Sequence, residues 1–115
     1  MMLTVDMMSD YGADVKTALV RCANKEELYL KLVKKVPDTQ DFGKLKDLVE
    51  AKDYEQAFEV AHGLKGVLLN LSITPLANPV VTMTEMLRAK EDADYSPYLE
   101  QMMTKLDELK ALIEE

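Results

Sequence analysis

Residues 53–71, DYEQAFEVAHGLKGVLLNL, carry a strong helical pattern and include the only histidine of the chain. Successive residues of a helix lie about 100° apart around its axis. With His62 placed at zero, the aliphatic residues gather on the opposite side: Ala57, Val60, Ala61, Leu64, Val67, Leu68 and Leu71. The pattern therefore predicts a helix that buries this side and exposes the imidazole.

Gly66 is unusual because it lies one turn beyond His62, on the side of the helix that faces away from the core. A glycine inside a helix costs roughly 0.5–1 kcal/mol relative to alanine, and core packing does not require one here. We interpret Gly66 as clearing space beside the ring. The other residues on this side are charged or apolar: Glu55, Phe58, Glu59, Lys65 and Leu69.

The reaction that the residues on this side of the helix can support is nucleophilic attack by the imidazole of His62. An exposed imidazole is largely neutral at pH 7, so one ring nitrogen keeps a lone pair that can attack phosphorus. Phosphoryl transfer depends mainly on positioning and charge stabilisation, and Lys65, one turn from His62, can offset the charge of the phosphoryl oxygens. The sequence shows no glycine-rich phosphate loop and no kinase signature. The residues themselves therefore supply a nucleophile and a nearby cation but no further catalytic group.

A metal site is a second possibility, because Glu59 and His62 form a Glu-x-x-His sequence. Di-iron helical bundles hold their metals with two such motifs on different helices. Since the chain has one histidine, a monomer cannot supply the second motif. We expect no metal site.

The residues around His62 resemble the signature of histidine-containing phosphotransfer (Hpt) domains. The similarity lies in Ala61-His62-x-Leu64-Lys65-Gly66 and the following Asn70-Leu71. It continues in the same order along most of the chain, at Arg21-Cys22, Glu27-Leu28-Tyr29 and Leu71-x-x-Thr74-Pro75-Leu76. Two residues depart from the family pattern: Ser72, where many members carry a glycine, and Pro79.

The resemblance implies an antiparallel helical bundle that carries a phosphoryl group on His62, with Lys65 stabilising its charge. The partners would be response-regulator receiver domains and hybrid histidine kinases. The receiver would supply the phosphorylated aspartate, Mg²⁺ and most catalytic groups, so no cofactor of the chain's own is expected. The residues expected to contact the partner are Phe58, Glu59, Gly63, Gly66, Leu69 and Asn70.

Composition limits the alternatives. A chain of 115 residues with 48% hydrophobic and 30% charged residues fits one domain, 1–115, with a modest core. The net charge of −7 argues against nucleic acid or an anionic membrane surface as a partner. Cys22 cannot form an internal disulfide and is interpreted as a core residue. Without a basic leader or a run of roughly 20 apolar residues, we expect a cytoplasmic protein. We also expect a monomer.

No segment shows sustained strand-like alternation, so the sequence predicts an all-α fold. The short connections favour antiparallel neighbours, which gives an up-and-down antiparallel bundle of four main helices with one or two short helices at its N-terminal end. Gly12 should end the first helix in a left-handed conformation, and Asp14 and Asp53 should cap later ones. The predicted helical segments are 3–9, 14–22, 24–35, 38–53, 53–71, 80–90 and 96–113.

Three of these segments have more detailed predictions. Asn24 and Glu27 resemble a capping box, and the helix they open would bury Leu28, Leu32 and Val36. Thr74-Pro75 is interpreted as an N-cap and first helical residue, with Pro79 causing an irregular first turn before residue 80. Ser96-Pro97 should cap the last helix.

Two other functions fit the same residues. A non-catalytic helical adaptor would keep the partner-contacting face but never be phosphorylated, although it would have no need to retain His62, Lys65 and Gly66. Alternatively, the chain is the phosphorylatable module of a chemotaxis-type histidine kinase. The opening methionines and the amphipathic helix at the end favour a free-standing protein over such a fragment.

Overall fold

A computed structural model describes residues 3–114, and within that range the chain is helical and contains no strand. This confirms the prediction of an all-α fold. Residues Val36–Asp38 form a single 3-10 turn. The α-helices of the described range are α1 (Val5–Tyr11), α2 (Val15–Arg21), α3 (Glu26–Lys35), α4 (Asp41–Glu50), α5 (Tyr54–Asn70), α6 (Thr74–Arg88) and α7 (Ser96–Glu114).

Helices α4–α7 form the bundle, with α5 and α6 at its centre. Helix α5 packs most extensively on α6 and also on α4, and α6 packs on α7. Only residues 51–53 and 71–73 separate α4 from α5 and α5 from α6, so these packed neighbours run antiparallel. The short helices α1 and α2 precede the bundle as predicted, followed by the ten-residue α3. No helix in residues 3–114 has the length and apolar character needed to cross a membrane.

Several helix ends follow directly from local sequence. The carboxylates of Asp14 and Asp53 accept hydrogen bonds from the backbone N–H groups three residues later, as predicted for N-caps. Hydrogen bonds from the side chain and backbone of Thr17 lower the pKa of Asp14. Gly12 ends α1 with φ 116°, and a β-carbon there would lie 2.7 Å from Pro75. Gly12 therefore serves both the turn and the packing of α1 on α6.

The predicted capping box of α3 is wrong. Asn24 adopts φ 59°, and α3 begins at Glu26 with Lys25 as an N-cap that makes no side-chain hydrogen bond. Ala23 and Asn24 are both left-handed, and they turn the chain sharply between α2 and α3. Asn24 thus belongs to the turn and not to the helix.

The buried side of α3 also differs from the prediction, by one residue. Tyr29 and Val33 are fully buried, whereas Leu28 and Leu32 are 41% and 37% exposed. Val36 is buried as predicted. The predicted pair, Leu28 and Leu32, and the buried pair, Tyr29 and Val33, both have helical spacing. Which pair faces the core depends on the direction in which the turn at 22–25 leads the chain into α3.

Helix α6 does not have the predicted irregular first turn. Its N-cap is Ile73, Thr74 lies in the first turn, and the helix continues through Pro79 without interruption. Pro79 is the sixth residue of α6, where it removes only the hydrogen bond to the carbonyl of Pro75. Pro79 is itself buried. We therefore infer that packing in the core stabilises α6 despite the missing hydrogen bond.

Helix α7 begins at Ser96, which therefore lies inside the first turn and is not the N-cap. Asp94 Oδ1 accepts a hydrogen bond from the Ser96 N–H at 3.0 Å. The predicted inward residues Leu99, Met102 and Leu106 are buried. The buried residues of α7 thus have the predicted spacing. The helix begins at Ser96, whereas the sequence predicted that Ser96 would cap it.

Tyr29 ties α3 to the C-terminal end of α5. Its ring is fully buried, and its hydroxyl donates a hydrogen bond to the carbonyl of Leu71 at 3.0 Å. Burial raises the pKa of Tyr29 to about 12. Ser72, the next residue, adopts φ 51°, a left-handed conformation that favours glycine. Cys22 is buried, as predicted.

We expect Tyr29→Phe to destabilise the protein, because the carbonyl of Leu71 would lose its donor inside the core. The loss should be about 1–2 kcal/mol, equivalent to a fall of roughly 4–10 °C in melting temperature. Tyr54→Phe is the matched control, since Tyr54 donates to the exposed Asp92 at 3.0 Å, and its effect should be below about 0.5 kcal/mol. Thermal melts by circular dichroism measure both. Equal melting temperatures for the two variants would contradict the proposed role of Tyr29.

Candidate functional site

His62 lies near the middle of α5 and is exposed to solvent. The residue before it, Ala61, is fully buried, and Leu64 is buried on the same side of the helix. The amphipathic pattern thus predicts the direction of His62 correctly. Its side chain is held on the surface by a helix whose other side is fixed in the core.

Phe58 packs against the imidazole from one turn earlier on α5. The ring centroids of Phe58 and His62 are 5.6 Å apart, and the ring planes are inclined by only 20°. The guanidinium of Arg88, on α6, lies 5.1 Å from the centroid of the same Phe58 ring, within the range of a cation–π interaction. The half-buried Phe58 therefore restricts the imidazole on one side and links it to α6.

Lys65 lies one turn after His62 but is not a freely solvated lysine. Its side chain is only 22% exposed, and its Nζ atom is 3.9 Å from Glu85 Oε1 on α6. The other carboxylate oxygen of Glu85 is 3.4 Å from Arg88 Nε. A single acidic side chain of α6 thus contacts both cations near His62.

The two glycines of α5 leave open space around His62. Both are exposed, and a β-carbon built on Gly63 or Gly66 would have no neighbour within 4 Å outside its own stretch of helix. Core packing therefore does not explain either glycine. The interpretation of Gly66 as clearance for a partner stays a prediction.

The remaining predicted contact residues lie on or near the same surface. Glu59 is exposed, and Leu69 is 46% exposed near the end of α5. Asn70 is the last residue of the helix. The backbone carbonyls of Leu69 and Asn70 accept hydrogen bonds from Arg21 Nη1 at 2.6 and 3.3 Å.

Arg21 is therefore a structural part of the site that was not among the residues predicted from the sequence. A cation at the C-terminal end of a helix offsets the partial negative charge of its last carbonyls. Arg21 reaches that end of α5 from α2. The signal was present in the sequence, since Arg21-Cys22 is one of the stretches that resemble Hpt domains.

A groove of about 400 Å³ lies between α3, α4 and α5, and it reaches Gly63 beside His62. The prediction that Val67 is buried is wrong, because its side chain is 49% exposed and lines this groove together with Leu32. The shift of the buried side of α3 leaves Leu32 at the surface, where it lines the same groove as Val67. The large hydrophobic residues exposed within residues 3–114 are Val20, Leu28, Leu32, Val67 and Leu69.

The described residues bring no metal-binding cluster together. Within residues 3–114, no group of three or more histidine, cysteine, aspartate or glutamate side chains is arranged to hold a metal ion. Glu59 and His62, the pair considered from the sequence, are both exposed residues of α5. Beside His62 this surface carries the cations Lys65 and Arg88.

A comparison with models of protein families matches residues 6–115 to the Hpt domain. The chain belongs to the Hpt domain family. Hpt domains carry out phosphotransfer in two-component signalling, where they interact with receiver domains and histidine kinases. No significant match was found among curated proteins or among solved structures. The family resemblance inferred from the motif around His62 is confirmed.

In this Hpt domain we expect Gly66→Ala to stabilise the fold and slow phosphotransfer. An exposed alanine in a helix should add about 0.4–1 kcal/mol relative to glycine. A partner that approaches His62 through the open space would be displaced by the added side chain, and a shift of about 1 Å can cost on the order of a hundredfold in rate.

The measurement combines melting curves with transfer time courses for Gly66→Ala and Gly66→Leu. Transfer should fall further for leucine than for alanine. Gly43→Ala is the matched control, because Gly43 is also an exposed helical glycine where an added β-carbon would have no neighbour within 4 Å, and it lies on α4. Unchanged transfer by Gly66→Leu would show that the glycine provides no clearance.

Proposed function

We propose that this Hpt domain is a phosphorelay intermediate: His62 accepts a phosphoryl group from a receiver-domain aspartate and passes it to a second receiver. One observation supports this above the others. The only histidine of the chain is exposed in the middle of α5, beside open space at Gly63 and Gly66 and one turn from Lys65. The domain would act as a carrier with no kinase activity of its own.

The proposed transfer is a direct exchange between imidazole and carboxylate. The lone pair of a neutral His62 ring nitrogen attacks phosphorus, so that an N–P bond forms while the O–P bond to the aspartate breaks. The carboxylate leaves with the electron pair of the broken bond. The phosphorylated ring is a cation that can release its N–H proton to water. Transfer to the second receiver reverses these steps.

The residues around His62 would have separate roles in this exchange. Phe58 restricts the orientation of the imidazole through the stacked contact. Lys65 offsets the charge of the phosphoryl oxygens. Mg²⁺ and the other catalytic groups would come from the receiver, as the family resemblance implies. This division agrees with phosphoryl transfer being mainly a matter of positioning and charge.

We further propose that the receiver contacts the surface around His62 and extends along the groove between α3 and α5. The contact residues predicted from the sequence are Phe58, Glu59, Gly63, Gly66, Leu69 and Asn70. To these we add Leu32 and Val67, because both are exposed and line the groove that reaches Gly63. Exposed apolar residues next to a reactive group are typical of a partner-binding surface. The cytoplasmic location and the monomeric state remain predictions.

The test of this function is a transfer assay with a panel of phosphorylated receiver domains. The wild-type protein should acquire acid-labile, base-stable phosphate, and His62→Gln should acquire none. Because His62 points away from the core, His62→Gln should keep the helicity and the melting temperature of the wild type, within about 0.5 kcal/mol.

Two results would contradict the proposal. Continued labelling of His62→Gln would place the acceptor elsewhere. A wild-type protein that binds receivers but takes phosphate from none of them would instead support the non-catalytic adaptor. Circular dichroism of each variant ensures that lost labelling does not reflect lost folding.

Val67→Ser tests the groove separately from the chemistry. Because Val67 is half exposed, its replacement should change stability by less than about 1 kcal/mol. Transfer from a receiver should slow by roughly fivefold or more, as expected for the loss of an apolar contact worth about 1 kcal/mol at an interface. Labelling by the small donor phosphoramidate, which needs no docking surface, should stay unchanged. Equal transfer rates for Val67→Ser and the wild type would remove the groove from the proposed interface.

A further inference from the structure

Glu85 on α6 is the only acidic residue of the described chain whose carboxylate lies within 4 Å of both Lys65 and Arg88. Its Oε1 atom is 3.9 Å from Lys65 Nζ, and its Oε2 atom is 3.4 Å from Arg88 Nε. The Glu85 side chain is 58% exposed, whereas that of Lys65 is only 22% exposed. Lys65 is thus partly enclosed and has a carboxylate as its neighbour before any phosphoryl group arrives.

Phosphorylation of His62 would change the charges around Lys65. A phosphoryl group carries up to about two negative charges near pH 7, and residues three apart on a helix are neighbours. Lys65 would then have two anionic partners, the phosphoryl group and Glu85. Glu85 would also repel the phosphoryl group, because both are anions next to the same ammonium.

We propose that Glu85 is a positioning residue that competes with the phosphoryl group for Lys65 and thereby lowers the stability of phosphorylated His62. In the unphosphorylated protein Glu85 holds Lys65 towards α6. On phosphorylation Lys65 exchanges Glu85 for the phosphoryl oxygens. This inference rests on the proposed function of His62, and it assigns to α6 a part in setting how readily the carrier gives up its phosphoryl group.

Arg88 provides a reason why the exchange need not disturb the imidazole. Its guanidinium lies over Phe58, and Phe58 stacks on His62. Glu85 can remain paired with Arg88 while it releases Lys65. The aromatic contact that orients the ring is therefore separate from the ion pair that changes partner.

The experiment uses phosphoramidate as the phosphoryl donor, so that no receiver is needed. The imidazole nitrogen displaces ammonia from phosphorus: one N–P bond forms, the other breaks, and ammonia leaves with the electron pair and takes up a proton. The phosphorylated fraction at equilibrium, in defined mixtures of phosphoramidate and ammonium, is measured by intact mass for the wild type, Glu85→Gln, Lys65→Ala and the double variant.

We expect Glu85→Gln to raise the equilibrium constant for phosphorylation by roughly two- to fivefold, the range of a partly exposed ion pair. Lys65→Ala should lower it. In the Lys65→Ala background, Glu85→Gln should have a smaller effect, below about 1.5-fold, because the competition needs Lys65 and only the screened repulsion between Glu85 and the phosphoryl group remains. The increase caused by Glu85→Gln should also shrink at high salt.

Glu55→Gln is the matched control for net charge. Glu55 is an exposed residue of the same helix, two turns or about 10 Å before His62. At an ionic strength of about 0.1 M, where the screening length is about 10 Å, its replacement should leave the equilibrium constant close to the wild-type value. An equal increase for Glu55→Gln and Glu85→Gln would overturn the inference.

Two other results would also overturn it. The first is an equilibrium constant for Glu85→Gln that equals or falls below that of the wild type. The second is the same increase with and without Lys65, which would mean plain repulsion and no competition. Failure of the proposed relay has a different signature: His62 would take phosphate from phosphoramidate but from no receiver.

Discussion

The one-sided burial of α5 is the constraint on which the rest of the site depends. Ala57, Ala61, Leu64 and Leu68 are almost completely buried between α4 and α6. This packing fixes the rotation of α5 about its own axis, and with it the direction of every residue on the opposite side. His62 is exposed because the opposite side of α5 is buried in the core.

The site around His62 is formed by two helices, α5 and α6, and not by α5 alone. Phe58 stacks on His62 within α5, but the groups that contact Phe58 and Lys65 come from α6. The pairs involved are partly exposed, and such pairs contribute modestly to stability. Their value lies in placing charge near the imidazole, which the proposed phosphoryl transfer requires.

The amino-terminal helices support the site from its far end. Arg21 donates to the last carbonyls of α5, and Tyr29 donates to the carbonyl of Leu71 just beyond them. These bonds satisfy groups that a helix end leaves without partners. The segment before the bundle thus holds the end of α5 in place, and it also contributes Leu32 to the groove that reaches Gly63.

The sequence by itself determined the features that depend on local periodicity and local hydrogen bonds: the helical class, the outward direction of His62, the caps at Asp14 and Asp53, and the family. Only the tertiary structure decided which of two equally spaced sides of α3 is buried, that α6 runs through Pro79, and that Glu85 lies beside Lys65. Those outcomes depend on turn geometry, on core packing that offsets a lost hydrogen bond, and on contacts between residues far apart in the chain. A repeat of three or four residues determines which apolar residues share one side of a helix. It does not determine which residues they pack against, because those belong to another helix.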